Sequence, residues 1–78
     1  MENWKEENNK LVKEFELSDF KDAVDFVNKI VPHAEAADHH PDILIHSYKK
    51  VKVSLTSHDV GKVTEKDYDL AKKIDAID

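Results

Sequence analysis

Two hydrophobic periodicities meet near Pro41, and their order restricts the folds open to this chain. Before the proline, apolar side chains recur with the i, i+3, i+4, i+7 spacing of one helical face; they are Phe20, Ala23, Val24, Val27, Ile30, Val31 and Ala34. After it, apolar and polar residues alternate as in a half-buried strand, with Val51, Val53 and Leu55 on one face. A one-sided helix beside half-buried strands predicts an α+β domain.

We predict four strands, paired as two hairpins, in the element order ββαββα. The strands should span residues 4–7, 11–17, 43–48 and 51–57. Asn8-Asn9 suits the first turn because asparagine tolerates the positive φ that tight hairpins require. Lys49-Lys50 is the expected second turn. The strands should form one antiparallel sheet, with both helices packed on one face, in a single domain over residues 1–78.

Each predicted helix has a polar residue at its start. The hydroxyl of Ser18 could cap the first helix, and Thr64 could cap the second, with Asp67 in a capping box. Pro32 lies inside the first helical pattern, where it removes one hydrogen bond at a cost of about 3 kcal/mol. We therefore expect a kink or a break there. Gly61 is expected to supply a positive φ in the loop before the second helix.

Length and composition limit the setting in which such a domain is stable. A chain of 78 residues buries only roughly 60% of its unfolded surface, and without cysteine it has no disulfide to compensate. We expect a ligand or a homodimer or homotetramer contact to contribute. Neither a signal peptide nor an apolar run of about 20 residues is present. The simplest expectation is a cytoplasmic protein that does not bind membranes.

The charge pattern argues against a nucleic-acid partner. The net charge is −5, and the lysines alternate with acids, which is typical of a solvated surface. Lys49, Lys50 and Lys52 form the single basic cluster, and a hairpin turn explains it better than a phosphate site does.

Three of the five histidines lie beside acids in two short stretches, Asp38-His39-His40-Pro41 and Ser57-His58-Asp59. The first stretch precedes the third predicted strand and the second follows the fourth. In an antiparallel hairpin those two ends are neighbours, so the three imidazoles should meet at one edge of the sheet. Because the unperturbed imidazole pKa is about 6.5, such a cluster favours acid/base chemistry, with Glu35, Asp38 and Asp59 as candidates to fix tautomers or bind a polar ring.

Two other interpretations of these histidines remain open at this point. Imidazoles and carboxylates also bind zinc or nickel, and the candidate ligands are His33, Glu35, His39, His40 and His58. Adjacent histidines rarely reach the same ion, however, and no dedicated metal motif is present. A structural role, with the rings satisfied by backbone groups, is the interpretation that we apply to His33 and His46.

The order and spacing of these residues resemble the pterin-4a-carbinolamine dehydratase family. The resemblance rests on Glu35, three residues, His39-His40-Pro41, six residues, Tyr48, nine residues, His58, eight residues, Asp67, and then Leu70-Ala71. A looser similarity extends from Trp4 to Ile74-Asp75. Ser57 stands where the family usually has threonine, the family loop at Gly61 is usually richer in glycine, and Pro32 departs from its continuous helix.

The resemblance implies an activity and a set of site residues. It implies cofactor-free dehydration of 4a-hydroxytetrahydropterin to quinonoid dihydropterin, in the recycling of tetrahydrobiopterin. His39, His40 and His58 would be catalytic. The residues expected to bind the substrate are Glu35, Asp38, Pro41, Ser57 and Asp59. Some relatives also act as dimerisation partners of transcription factors, so a non-catalytic interaction module of the same fold is the alternative.

Overall fold

The computed structural model of the chain describes residues 3–77, which form a four-stranded sheet and two helices. The elements are β1 (Lys5–Glu7), β2 (Lys10–Glu16), α1 (Phe20–Ala37), β3 (Asp42–His46), β4 (Lys50–Leu55) and α2 (Glu65–Asp75). The strand order is β1-β2-β4-β3, and every neighbouring pair is antiparallel. The predicted ββαββα order and α+β class are confirmed.

Both helices cover the same face of the sheet. Strand β4 is central, and its inward residues Val51, Val53 and Leu55 are completely buried. They form one core with residues from both helices, namely Ala23, Phe26 and Ile30 of α1 and Leu70, Ala71 and Ile74 of α2. Ala23 and Ile30 belong to the predicted stripe of α1, whereas Phe26 was not part of it. Phe20 and Val31, which were predicted to share that stripe, are exposed. No helix within residues 3–77 has the length and apolarity to cross a membrane.

The two hairpin turns compare differently with their predictions. Asn8 and Asn9 form the first turn with φ values of 50° and 64°, as expected. The second turn lies at residues 47–49, with positive φ at Ser47 and Tyr48, so the Lys49-Lys50 prediction was wrong. Lys50 instead begins β4 opposite His46. The strand register pairs Ile43 and Ile45 of β3 with the inward valines of β4. This register, and not the charge of the lysines, determines where the turn lies.

Helix α1 corrects two local predictions. Its N-cap is Asp19 rather than Ser18, and the Asp19 carboxylate accepts the backbone N–H of Asp22 at 2.8 Å. The helix also continues past Pro32 to Ala37, so the expected break was wrong. Asn28 and Pro32 are both exposed, so water can hydrogen-bond the Asn28 carbonyl that the proline leaves without a donor.

A charged cluster joins the N-terminal hairpin to the end of α2. Lys13 interrupts the alternation of β2, but its ammonium lies 2.7 Å from the Asp75 carboxylate and 4.6 Å from the Phe15 ring centroid. The indole N–H of Trp4 donates to the same carboxylate at 2.9 Å, while the Trp4 side chain is buried in the core. An inward lysine is therefore accommodated by an ion pair and an aromatic face.

Candidate active site

Three histidines from two separate parts of the chain line one concavity. His39 and His40 follow directly after α1, and His58 lies just beyond β4. The concavity has a volume of about 490 Å³ and is lined by Asp38, His39, His40, Pro41, Asp42, His58, Asp59 and Lys66. That volume lies within the range of small-molecule pockets. The hairpin of β3 and β4 brings the three imidazoles together as the strand pattern indicated.

The end of α1 determines where the paired histidines lie. Asp38 has left-handed backbone angles, with φ of 49°, and its N–H bonds the carbonyls of the last helical turn. The N–H of His39 also bonds the Ala34 carbonyl at 3.1 Å. This cap reverses the chain before Pro41, which restricts His40 to extended conformations. The two adjacent rings consequently find different partners.

His39 is held by a carboxylate from the second helix. Its Nε2 lies 2.5 Å from Oδ1 of Asp67, and the His39 side chain is 12% exposed while that of Asp67 is completely buried. A neutral His39 must carry its proton on Nε2 to donate to this carboxylate. The tautomer with a lone pair on Nδ1 is then selected, which is the form able to accept a proton from a ligand.

Asp67 is itself fixed by two further hydrogen bonds to its second oxygen, Oδ2. The Ser57 hydroxyl donates to this oxygen at 3.0 Å, and the backbone N–H of Thr64 donates at 2.8 Å. The bond from Thr64 is one half of the capping box that begins α2. Ser57 is almost completely buried, and its hydroxyl also lies 2.7 Å from that of Thr64. The side chain of Asp67 therefore both caps the start of α2 and orients the ring of His39.

His40 has a carboxylate partner in a very different environment. Its Nε2 lies 2.5 Å from Oε2 of Glu35, and the two side chains are 60% and 67% exposed. Glu35 belongs to the last turn of α1, five residues before His40. The pair is thus local in sequence and open to water. It can orient the ring of His40, but solvent weakens its electrostatic interaction.

His58 is presented by a short turn between β4 and α2. Two backbone hydrogen bonds close the turn. The Gly61 N–H donates to the Ser57 carbonyl at 2.8 Å, and the Ser57 N–H donates to the Lys62 carbonyl at 3.1 Å. Gly61 has a φ of 68°, the conformation expected of the chain's one glycine. His58 and Asp59 are exposed on this turn, and both face the concavity.

The structure divides the predicted substrate-binding residues into two groups. Asp38, Pro41 and Asp59 line the concavity directly. Glu35 and Ser57 are not among its lining residues; Glu35 bonds His40, and Ser57 bonds Asp67. Both therefore lie behind a histidine or its partner rather than against a ligand.

Sequence reasoning missed three residues of the site. Asp67 was assigned only to the capping box, although its place in the ordered family spacing was a signal for a role at the site. Asp42 and Lys66 also line the concavity. No sequence signal distinguished them from other exposed charges.

The remaining histidines lie elsewhere. His46 bonds the Glu14 carboxylate across the sheet, and His33 lines a separate cleft with Lys73 and Ile77. Within residues 3–77, no three histidine, aspartate or glutamate side chains converge closely enough to hold a metal ion. In the described structure His33 and His46 thus lie apart from the three clustered imidazoles.

Comparison with known sequences identifies a family. A sequence model of the family described as pterin 4 alpha carbinolamine dehydratase matches residues 1–77. A protein of Picosynechococcus sp. is 54% identical over 74 residues, covering 95% of this chain and 79% of that protein. One of Sulfolobus acidocaldarius is 49% identical over 77 residues, covering 99% and 84%. Both have the provisional name pterin-4-alpha-carbinolamine dehydratase.

Two solved structures share the fold. A crystal structure described as a transcriptional coactivator/pterin dehydratase from Brucella melitensis superimposes with a TM-score of 0.89 at 31% identity, covering 96% of this chain and 81% of that one. A pterin dehydratase-like protein described as a RuBisCO assembly factor of the alpha-carboxysome superimposes with a TM-score of 0.77 at 21% identity, covering 95% and 87%. The second likeness concerns the fold alone.

Proposed function

The chain belongs to the pterin-4-alpha-carbinolamine dehydratase family, and on that premise we propose that it dehydrates 4a-hydroxytetrahydropterins in tetrahydrobiopterin recycling. The observation that carries the proposal is the meeting of His39 and His58, from different elements, at one concavity, with a buried carboxylate behind one of them. Two imidazoles on separate elements can act on two atoms of one bound ring. Solvent-facing structural histidines would not need a buried orienting group.

The reaction requires two proton transfers on the bound pterin. One imidazolium delivers a proton to the hydroxyl on C4a, so that the C–O bond breaks and water leaves. A neutral imidazole removes the proton from the adjacent ring nitrogen, whose electrons form the new C=N bond of the quinonoid dihydropterin. A positioned acid and base of this kind contribute about 10²–10⁴-fold each. His39 and His58 fill these two roles in the proposal, and His40 binds the ring.

The carboxylates have supporting roles in the same proposal. Asp67 is a positioning residue, because it contacts His39 and is completely buried. Glu35 positions His40 in the same way. Asp38, Pro41 and Asp59 line the concavity and would contact the ring, whereas Ser57 acts on the substrate only through Asp67.

A direct dehydratase assay with enzymically generated 4a-hydroxypterin tests the proposal. We expect His58→Ala to lower kcat at least about a hundredfold with the fold intact. His46→Ala removes a histidine that lies outside the concavity and is the matched control; its turnover should stay within about twofold of the unsubstituted protein. Unchanged turnover in His58→Ala would eliminate the enzymatic role of this site. Loss of activity after thorough chelation would instead favour the metal interpretation.

The second candidate function is that of a non-catalytic interaction module. The Brucella melitensis structure supports this candidate, because that protein is described as both coactivator and dehydratase. In this case the chain would assemble, as a homodimer or homotetramer or with a partner protein, without turnover. Sedimentation analysis of His58→Ala beside the assay separates the two. Intact assembly together with unaltered turnover, or with no turnover in either protein, would favour the module.

A further inference from the structure

Asp38, Asp42 and Asp59 form a charged rim of the histidine concavity. We propose that this rim selects tetrahydropterins with an uncharged side chain and rejects those that carry a carboxylate or phosphate. This inference rests on the proposed function, because it concerns the substrate class of the same site. It assigns a specificity role to Asp42, which neither the family spacing nor the proton-transfer chemistry involves, and it extends the roles of Asp38 and Asp59.

Carboxylates outnumber ammonium groups around this concavity. Its lining includes Asp38, Asp42 and Asp59 but only one cation, Lys66. The three aspartates come from three different segments: the cap of α1, the first residue of β3 and the turn after β4. The negative charge of the lining therefore comes from three segments of the chain rather than from one.

The three rim aspartates differ in their pairing from the acids that hold the histidines. Among residues 3–77, the side chains of Asp38, Asp42 and Asp59 make no ion pair or hydrogen bond, and Lys66 does not pair with any of them. All three aspartates are exposed. In contrast, the acids that hold the histidines, Glu35 and Asp67, are each engaged with a ring nitrogen. The rim charges are therefore available to act on a ligand.

An anionic substituent at this site meets three carboxylates, and Lys66 is the one ammonium group of the lining that could offset them. Repulsion between unit charges a few ångströms apart in water changes binding severalfold, and like-charge juxtaposition is a common means of rejecting a wrong partner. Pterins that differ only in the side chain share the ring that the histidines are proposed to bind. The rim consequently discriminates by side chain rather than by ring.

Equilibrium binding of two matched pterins tests this inference. 6-Hydroxymethylpterin and pterin-6-carboxylate share the ring and differ in the charge of the substituent. At a pH of about 7.5, above the ordinary imidazole pKa, and at low salt, we expect the neutral pterin to bind at least about fivefold more tightly. High salt should reduce the ratio, because the Debye length falls from about 30 Å at 0.01 M to about 3 Å at 1 M.

Isosteric amide variants locate the effect. Asp42→Asn combined with Asp59→Asn should reduce the affinity ratio to about twofold or less. The control combines Glu7→Gln with Asp22→Asn, which removes the same charge from β1 and from the far end of α1, about 24 Å along the helix from Asp38. That control should leave the ratio unchanged, whereas an equal fall in both double variants would mean a general charge effect and overturn the inference.

The remaining outcomes separate this inference from the proposed function. Equal or tighter binding of pterin-6-carboxylate overturns charge selection, even if dehydratase turnover is present. In particular, tighter binding that is lost in Lys66→Gln would show that the lysine captures anions. Charge-selective binding without dehydratase turnover upholds the inference and overturns the proposed function alone. If neither pterin binds and no turnover is found, both fail.

Discussion

The two adjacent histidines of the site each have a carboxylate partner at 2.5 Å, but the two pairs lie in opposite environments. The His39–Asp67 pair joins segments 28 residues apart, and its carboxylate is completely buried. The His40–Glu35 pair joins residues five positions apart, and more than half of each side chain is exposed. The two distances are equal, but the environments differ. The His39–Asp67 pair, here called the inner pair, is part of the packed structure, and the His40–Glu35 pair, the outer pair, is exposed to water.

The surroundings of a charge pair, and not its length, determine what the pair contributes to stability. Removing one partner of a buried pair typically costs about 3–5 kcal/mol, because the other partner is left without compensation in a dry environment. An exposed pair is typically worth about 0–1 kcal/mol. The inner pair should therefore influence both stability and chemistry, and the outer pair mainly the orientation of one ring.

The largest expected effect is on stability at Asp67. Asp67→Ala removes the acceptor for three donors, on His39, Ser57 and Thr64, and we expect the free energy of unfolding to fall by about 3 kcal/mol or more. Glu35→Ala is the matched change in the outer pair and should cost less than about 1 kcal/mol. Urea denaturation measures both.

Asp67→Asn provides a second measurement if the alanine variant does not fold. Asparagine keeps an acceptor oxygen for two donors but loses the charge facing His39, so kcat should fall while the helix remains capped. Equal stability losses in the Asp67 and Glu35 alanine variants would contradict the distinction between buried and exposed pairs.

The next effect concerns turnover at the two histidines. His39→Gln keeps an N–H that can donate toward Asp67 but cannot exchange a proton near neutral pH, so kcat should fall about a hundredfold. His40→Gln should mainly raise KM, by about two- to tenfold, the effect of one lost hydrogen bond to a ligand. Steady-state kinetics separate the two, and a larger kcat loss at His40 would reverse the assignment of roles.

A smaller effect is expected at Ser57, which supports the inner pair from behind. Ser57→Ala removes one of three hydrogen bonds to Asp67 and should lower the free energy of unfolding by about 1 kcal/mol. Ser57→Thr restores the hydroxyl that the family usually carries and should recover the loss. Ser54→Ala is the control, because this β4 hydroxyl makes no hydrogen bond within residues 3–77. Thermal denaturation of the three variants provides the comparison.

The smallest effect is at another exposed carboxylate contact, Tyr68 with Glu6. The Tyr68 hydroxyl donates to Glu6 at 3.2 Å, and this bond raises the pKa of Tyr68 above its usual value of 10. The protonated form is favoured in the folded state, so the contribution is present below pH 10 and is lost as the pH rises through the higher folded pKa.

Phenolate absorbance in a Tyr48→Phe background isolates the titration of Tyr68. Glu6→Gln should lower the pKa of Tyr68 without a measurable change in unfolding free energy at neutral pH, as expected for an exposed contact. A large loss of stability in Glu6→Gln would show that exposed carboxylates in this protein contribute more than the comparison with Glu35 allows.

The sequence was sufficient for features that depend on near neighbours along the chain. The helical stripe of α1, the alternation of β4 and the asparagine turn each follow from spacings of two to four residues, and each is present in the structure. The approach of His39 and His40 to His58 was also predictable, because a hairpin necessarily places the start of one strand beside the end of the next. The same local reasoning failed at Pro32, where exposure to solvent makes the lost hydrogen bond tolerable.

Only the tertiary structure decided how the polar groups are paired. The local sequence identifies Asp67 only as a helix cap, but its partner His39 lies 28 residues away. In the same way, Lys13 only interrupts a strand pattern locally, and its partner Asp75 lies 62 residues away. Periodicity records which side of an element faces the core. The choice of partner depends instead on where the packed helices and sheet leave two polar atoms within bonding distance and away from water, and that is a property of the whole fold.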